Sequence, residues 1–216
     1  MDNKYLMQAK ANFTALAYGR RYSARLALLQ KLCKEFEEYN VEWAVACSFE
    51  LFLLGIVDDF HDFDILVAPK SFQDVCGILE RIGSRKNYDK DPSRQGCFSS
   101  KFFAEFEADG IDIDVICEFG FTTFHSFYQY HFNEADIIEV KVAGLKVPVV
   151  PPEAQYIFYG MMTGWQPQRA FKRDLICAYL HDHPQDHRGR HILEEALENE
   201  ALPDFLLEGI HGLLNT

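Results

Sequence analysis

The stretch AVACSFELFLLGIVDDFHDFDILVA, residues 44–68, decides the fold. It predicts a buried strand over Trp43 to Cys47, a short helix over Phe49 to Leu54 and a second strand over Phe63 to Ala68. Alternate residues of a strand share one face, so Asp62 and Asp64 are expected on the same face, about 7 Å apart along the strand. Two like charges this close are costly unless a cation neutralises them.

A second acidic pair, Asp112 and Asp114, repeats this arrangement on a later strand. Carboxylates that converge from adjacent strands can hold Mg²⁺, which takes oxygen ligands and shares them with substrate phosphates. The alternative is that each pair lies on the solvated face of an edge strand. Two pairs in one sheet favour a metal site.

Cys47 and Ser48 stand at the junction between the first strand and the short helix. A helix N-terminus offers unpaired N–H groups, and a small hydroxyl residue there can help to hold a phosphate. The alternative for Ser48 is a purely structural N-cap.

The rest of the chain predicts an α/β (α+β) fold with a mixed sheet and flanking helices. Residues 4–39 predict one long helix or two shorter ones with a break at Gly19, which form an N-terminal helical extension. Turns at residues 108–110 and 143–144 predict two hairpins. The predicted parts are 1–39, a core of 40–152, and a C-terminal helical part of 153–216.

Composition excludes several classes of protein. With 21 Lys and Arg against 33 Asp and Glu, the net charge is −12, which argues against a nucleic-acid partner. No apolar stretch approaches the roughly 20 residues that span a membrane. There is no secretory signal pattern, and six scattered cysteines without a Cys-x-x-Cys pair indicate reduced thiols in a cytoplasmic protein.

Three segments in order carry a family resemblance: Val45-Ala46-Cys47-Ser48, then after thirteen residues Asp62-Phe63-Asp64, then Ile113-Asp114-Val115. This pattern resembles the nucleotidyltransferase superfamily related to DNA polymerase beta. The segments 147–153 and 172–175 are similar to the tails of small bacterial nucleotidyltransferases, including those that modify antibiotics or act in toxin and antitoxin systems. The resemblance covers roughly residues 40–180.

The resemblance implies a function and its residues. Asp62 and Asp64 match the metal-binding pair, Asp114 matches the third acid with Asp112 as the alternative, and Ser48 matches a hydroxyl residue near the terminal phosphates. An acceptor on a small molecule or a protein would attack the α-phosphorus of a nucleoside triphosphate, and pyrophosphate would leave. Two Mg²⁺ ions would assist, and the third acid can act as base toward the acceptor.

The chain departs from the family pattern at two points. Cys47 stands where the family has Gly, and a Cβ there obstructs close approach of the backbone to a phosphate. The approach to the acidic pair, residues 57–61, contains no Arg or Thr, where many relatives have one. These departures motivate an alternative, namely a catalytically silent protein of this fold that serves as a binding or interaction module.

Three further groups have two interpretations each. Lys172, Arg173 and Arg169 can bind a triphosphate or serve as ordinary helix charges. The histidines of residues 181–191 form a possible transition-metal site or a solvated loop between helices. The aromatic run of residues 119–132 predicts packing between sheet and helices rather than a base-stacking platform.

Overall fold

The computed structural model describes residues 4–86, 94–122, 127–199 and 202–215. Eight α-helices lie within them, numbered here in chain order: α1 (Lys4–Tyr18), α2 (Ser23–Glu38), α3 (Cys47–Leu53), α4 (Phe72–Ile82), α5 (Pro152–Thr163), α6 (Ala170–Asp182), α7 (His187–Leu197) and α8 (Asp204–Leu214). In this described part, no helix is long and apolar enough to cross a membrane.

The described residues also contain eleven strands. They are β1 (Trp43–Ala46), β2 (Phe63–Val67), β3 (Ser84–Arg85), β4 (Arg94–Gln95), β5 (Phe98–Ser99), β6 (Phe102–Ala108), β7 (Ile111–Cys117), β8 (Gly120–Thr122), β9 (Phe127–Gln129), β10 (Ile138–Val142) and β11 (Leu145–Val149). Seven form one sheet in the order β10-β11-β1-β2-β7-β6-β3, and four form a small sheet in the order β4-β5-β8-β9. The large sheet is mixed, as predicted, because β1–β11 and β2–β7 are parallel pairs.

Two tight hairpins within the large sheet confirm the predicted turns. Asp109 and Gly110 have φ angles of 54° and 73° and join β6 to β7. Ala143 and Gly144 have φ angles of 50° and 80° and join β10 to β11. Left-handed φ at both central residues is the geometry that matches the twist of paired strands.

Both faces of the large sheet are covered. Along β1, Trp43 and Val45 belong to one hydrophobic cluster, which also contains the buried residues of α2 and α4. Ala44 and Ala46 belong to the second cluster, with the buried residues of α5 to α8. A strand buried on both faces explains the continuous apolar run that the sequence shows here. The division of the chain into 1–39, 40–152 and 153–216 stays a prediction.

The N-terminal extension is two helices, α1 and α2, separated by Gly19 and a 3-10 turn over Arg20–Tyr22. Leu29, Leu32 and Phe36 form the apolar face of α2 and are fully buried. The extension is therefore packed onto the sheet.

Residues 181–191, for which a solvated loop between helices was one interpretation, are largely helical. The helix α6 ends at Asp182, and α7 begins at His187. Asp186 caps this helix and accepts hydrogen bonds from the backbone N–H groups of Arg188 and Gly189, at 2.9 and 3.0 Å. A side-chain cap of this kind outweighs the low helix propensity of one glycine.

Most of the aromatic run packs in the core, as predicted. The rings of Phe119, Phe121 and Tyr130 lie with their centroids 5.2 to 5.4 Å from that of Phe158 in α5. Phe127 is the exception, at 48% exposed, and Phe124 lies outside the described residues. The three buried rings pack the small sheet against α5.

Candidate active site

Three carboxylates meet on one face of the large sheet. Asp64 of β2 and Asp114 of β7 are direct neighbours in the parallel register of the two strands. Asp62 precedes Asp64 by two residues, on the same face. All three line one cavity of about 900 Å³.

The electrostatic environment of these acids is unfavourable for negative charge. Burial raises the pKa of Asp64 well above its usual range, and the carboxylates of Asp62 and Asp114 raise it further. Burial, then Glu105 and Asp62, raise the pKa of Asp114 to about 7. A cluster of oxygen donors short of positive charge is suited to a hard divalent cation. The donor set therefore fits Mg²⁺.

The acids are gathered without forming a closed metal cage. Among the described residues, no group of three or more His, Cys, Asp or Glu side chains is already arranged to hold a metal ion. This finding covers the acids and the histidines of residues 181–191 alike. One of these histidines, His183, stacks on Tyr179 with ring centroids 4.2 Å apart. Mg²⁺ commonly takes only one or two carboxylates and completes its shell with water and substrate phosphates.

Glu105 is a further acid of the cavity, beside Asp114, and it was not among the site residues predicted from the sequence. It lies on β6 directly opposite Asp114 in the antiparallel register. The sequence contained the information needed to place Glu105 opposite Asp114, because a two-residue turn at Asp109 and Gly110 fixes which residues of the two strands face each other.

Asp112, the alternative third acid, lies outside the cavity. It is exposed, and it accepts a hydrogen bond of 2.6 Å from the Nζ of Lys86. Asp112 thus has a cation of its own, whereas Asp114 faces the other acids. The geometry therefore favours Asp114 over Asp112 as the third acid.

Cys47 and Ser48 both contact the acids. The thiol of Cys47 is hydrogen-bonded to Asp64, and burial raises the pKa of the thiol well above its usual value. The hydroxyl of Ser48 donates to Oδ1 of Asp62 at 3.3 Å. The N-cap interpretation of Ser48 is wrong, because Ala46 occupies the cap position of α3 and Cys47 is already its first residue.

The backbone of Cys47 explains why a glycine is suited to this position. Its φ is +54°, in the left-handed region. The left-handed backbone conformation costs a residue with a Cβ about 1 kcal/mol or more, whereas glycine adopts it freely. The turn from β1 to α3 thus has a left-handed residue although that residue is Cys47, and the thiol of Cys47 is buried.

One basic wall faces the acids. Lys172 and Arg169 both line the cavity, and the Nζ of Lys172 lies 3.4 Å from the hydroxyl of Tyr159. Burial lowers the pKa of Lys172. Arg173, also predicted to bind nucleotide, is outside the cavity: it pairs with Asp174 at 2.6 Å and lies over the ring of Phe205. One step along α6 turns a side chain by about 100°, which places Arg173 beyond the part of the helix surface that lines the cavity.

The mixed sheet, the three acids on it and the basic side chains across the cavity are suited to binding a nucleoside triphosphate together with a divalent cation. A family model described as aminoglycoside-2''-adenylyltransferase matches residues 28–176. The chain belongs to this family.

Solved structures share the fold. One is a candidate nucleotidyltransferase of Thermotoga maritima, TM1012, at 21% identity, with 74% of this chain and 94% of that chain covered and a TM-score of 0.54. A second is ANT(2'')-Ia in complex with adenylyl-2''-tobramycin, at 12% identity, with 81% and 99% covered and a TM-score of 0.53. A search of curated proteins found no match.

Proposed function

We propose that this protein transfers the adenylyl group of ATP, with Mg²⁺, to a hydroxyl of a small cationic molecule. The observation that carries the proposal is the pairing of Asp64 with Asp114 in register, beside Asp62, across one cavity from Lys172. Phosphoryl transfer without a covalent intermediate relies on positioning and charge stabilisation. Acidic side chains that bind a metal and a cationic side chain that binds phosphate supply both.

Each side chain has a part in this reaction. Asp62, Asp64 and Asp114 would hold Mg²⁺, with two ions expected, and the metal would neutralise the charge that develops on the phosphate oxygens. Asp114 also takes the proton of the acceptor hydroxyl as its oxygen bonds to the α-phosphorus. The bond from that phosphorus to the bridging oxygen breaks, and pyrophosphate leaves toward Lys172 and Arg169.

The acceptor is inferred from the charge and size of the cavity. Asp58 and Glu105 add to the acids of its wall, and a cavity of about 900 Å³ has the volume of a site for a drug-sized ligand. ANT(2'')-Ia was solved with adenylyl-2''-tobramycin, an adenylylated aminoglycoside. We therefore propose an aminoglycoside or a similar polyamine sugar as acceptor, in preference to a protein.

The test is an acceptor screen with purified protein, ATP and MgCl₂. We expect pyrophosphate release that depends on an aminoglycoside, a product heavier than the acceptor by one adenylyl group, and loss of both signals with EDTA. Binding of Mg²⁺–ATP without turnover on any acceptor would contradict the proposal and would favour the silent module. Transfer to a protein instead would overturn the acceptor assignment alone.

Cys47→Gly is expected to lower the KM for ATP by about threefold to tenfold, because without a Cβ the backbone can approach a bound phosphate more closely. Cys47→Ala, which keeps the Cβ and the backbone strain but loses the sulfur, is the matched control and should have less effect. Steady-state kinetics in ATP measures both. A higher KM in the glycine variant would show that the thiol contributes to nucleotide binding.

A further inference from the structure

The loop of residues 54–61 joins α3 to Asp62 and forms part of the cavity wall. Asp64 and Asp114 are fixed by strand pairing within the sheet. Asp62 lies one residue before β2, at the end of the loop. The position of Asp62 relative to the other two acids therefore depends on how the loop is held.

Asn12 of α1 holds the start of this loop. Its side chain is 3% exposed. The Nδ2 group donates hydrogen bonds to the carbonyl oxygens of Phe52 and Val57, at 2.7 and 2.9 Å. The Oδ1 atom accepts a bond of 2.8 Å from Nε2 of Gln8, which itself lines the cavity. Both donors and the acceptor of this buried amide are used, which fixes its orientation.

The loop backbone is also pressed against α1. Gly55 has a φ of +74°, and a Cβ at this residue would lie 2.6 Å from the backbone nitrogen of Ala9. Only glycine permits so close an approach between two backbones. The loop and the helix are therefore fitted to each other.

The second half of the loop is held by the residues that follow α1. The hydroxyl of Tyr22 donates to Oδ1 of Asp59 at 2.7 Å, and Arg21 forms an ion pair with the same carboxylate. The Nη2 of Arg25 donates to the carbonyl oxygen of His61 at 3.1 Å. His61 immediately precedes Asp62, so these contacts reach the backbone next to the acid.

We infer that the N-terminal extension positions Asp62 for metal binding, with Asn12 as the main positioning residue. The inference rests on the proposed function, because it takes Asp62 as a metal ligand. Asn12, Tyr22 and Arg25 all precede residue 28, where the family match begins. The position of Asp62, which lies within the family match, thus depends on residues that lie outside the match.

The test compares two variants of α1. Asn12→Asp keeps the size and the acceptor for Gln8, but it removes the two donors and turns a carboxylate toward two carbonyl oxygens. Thr14→Ala is the control, because Thr14 lies on the exposed face of the same helix and its hydroxyl donates only to the carbonyl oxygen of Lys10 within α1, at 2.9 Å. Both are compared with wild type at a temperature where all remain folded.

Two quantities are measured, amide hydrogen exchange over residues 54–61 without metal or nucleotide, and the Mg²⁺ concentration that gives half-maximal transfer. In Asn12→Asp we expect exchange of the loop to become about tenfold faster and the half-maximal Mg²⁺ concentration to rise about tenfold, with little change in either for Thr14→Ala. Wild-type values in Asn12→Asp, or equal changes in the control, would overturn the inference.

A milder variant covers the case in which Asn12→Asp does not fold. Tyr22→Phe removes only the hydroxyl bonded to Asp59 and keeps the ring that stacks on Phe60, 5.5 Å away. It should shift both quantities in the same direction by a smaller factor, and unchanged values would overturn the inference. If the wild type transfers no adenylyl group at all, the proposed function fails, while loop exchange still tests the role of the extension.

Discussion

Replacement of Asp64 by Asn is expected to lower kcat for adenylyl transfer by about a thousandfold. The amide keeps the shape of the side chain, but it removes a negative charge at the centre of the three acids, where Asp64 is paired with Asp114. Mg²⁺ would then lose a protein ligand and, with it, part of its hold on the triphosphate. Pyrophosphate release at saturating ATP measures the effect.

The stability of the folded protein should not decrease with this replacement. Burial and the neighbouring acids raise the pKa of Asp64, so its charged form is disfavoured in the folded state when no metal is present. In EDTA the melting temperature of Asp64→Asn should therefore equal or exceed that of wild type. A variant that retains full pyrophosphate release would refute the site assignment.

Asp112→Asn separates the two candidates for the third acid. Asp112 pairs with Lys86 outside the cavity. The geometry predicts that its replacement changes kcat by less than about twofold, whereas Asp114→Asn should abolish most activity. A loss in Asp112→Asn as large as that in Asp114→Asn would reassign the third acid.

Lys172→Met is expected to lower kcat/KM for ATP by about a hundredfold. Lys172 is half-buried in the cavity opposite the acids, and methionine keeps most of its apolar stem without the charge. The lost interaction is with the phosphates, so the change should be present with every acceptor.

Arg173→Met is the matched control for this variant. Arg173 is the next residue of α6, but its guanidinium pairs with Asp174 and Phe205 away from the cavity. Its replacement should leave kcat/KM for ATP within about twofold of wild type. A large decrease in kcat/KM for ATP in Arg173→Met, with no decrease in Lys172→Met, would assign phosphate binding to Arg173 instead of Lys172.

The sequence was sufficient for features that depend on short-range pattern. Strand alternation placed Asp62 and Asp64 on one face, and the Asp-Gly turn predicted the hairpin that carries Asp114. The α/β class and both hairpin turns followed in the same way, because local periodicity and turn chemistry determine them.

The features that the sequence analysis missed depend on contacts between distant segments. Asn12 and Phe52 are forty residues apart, and nothing in the composition of α1 indicates that it holds the wall of the site. The left-handed φ of Cys47 and the separation of Lys172 from Arg173 likewise follow from how elements pack. Long-range packing of this kind has no periodic signal in a single sequence.

The most direct test of the account is a crystal structure of the protein with Mn²⁺ in place of Mg²⁺ and a nonhydrolysable ATP analogue. We predict anomalous density for the metal between Asp62, Asp64 and Asp114, with the terminal phosphates of the analogue next to Lys172. Nucleotide bound elsewhere, or bound in this cavity with no metal at the three acids, would contradict the account.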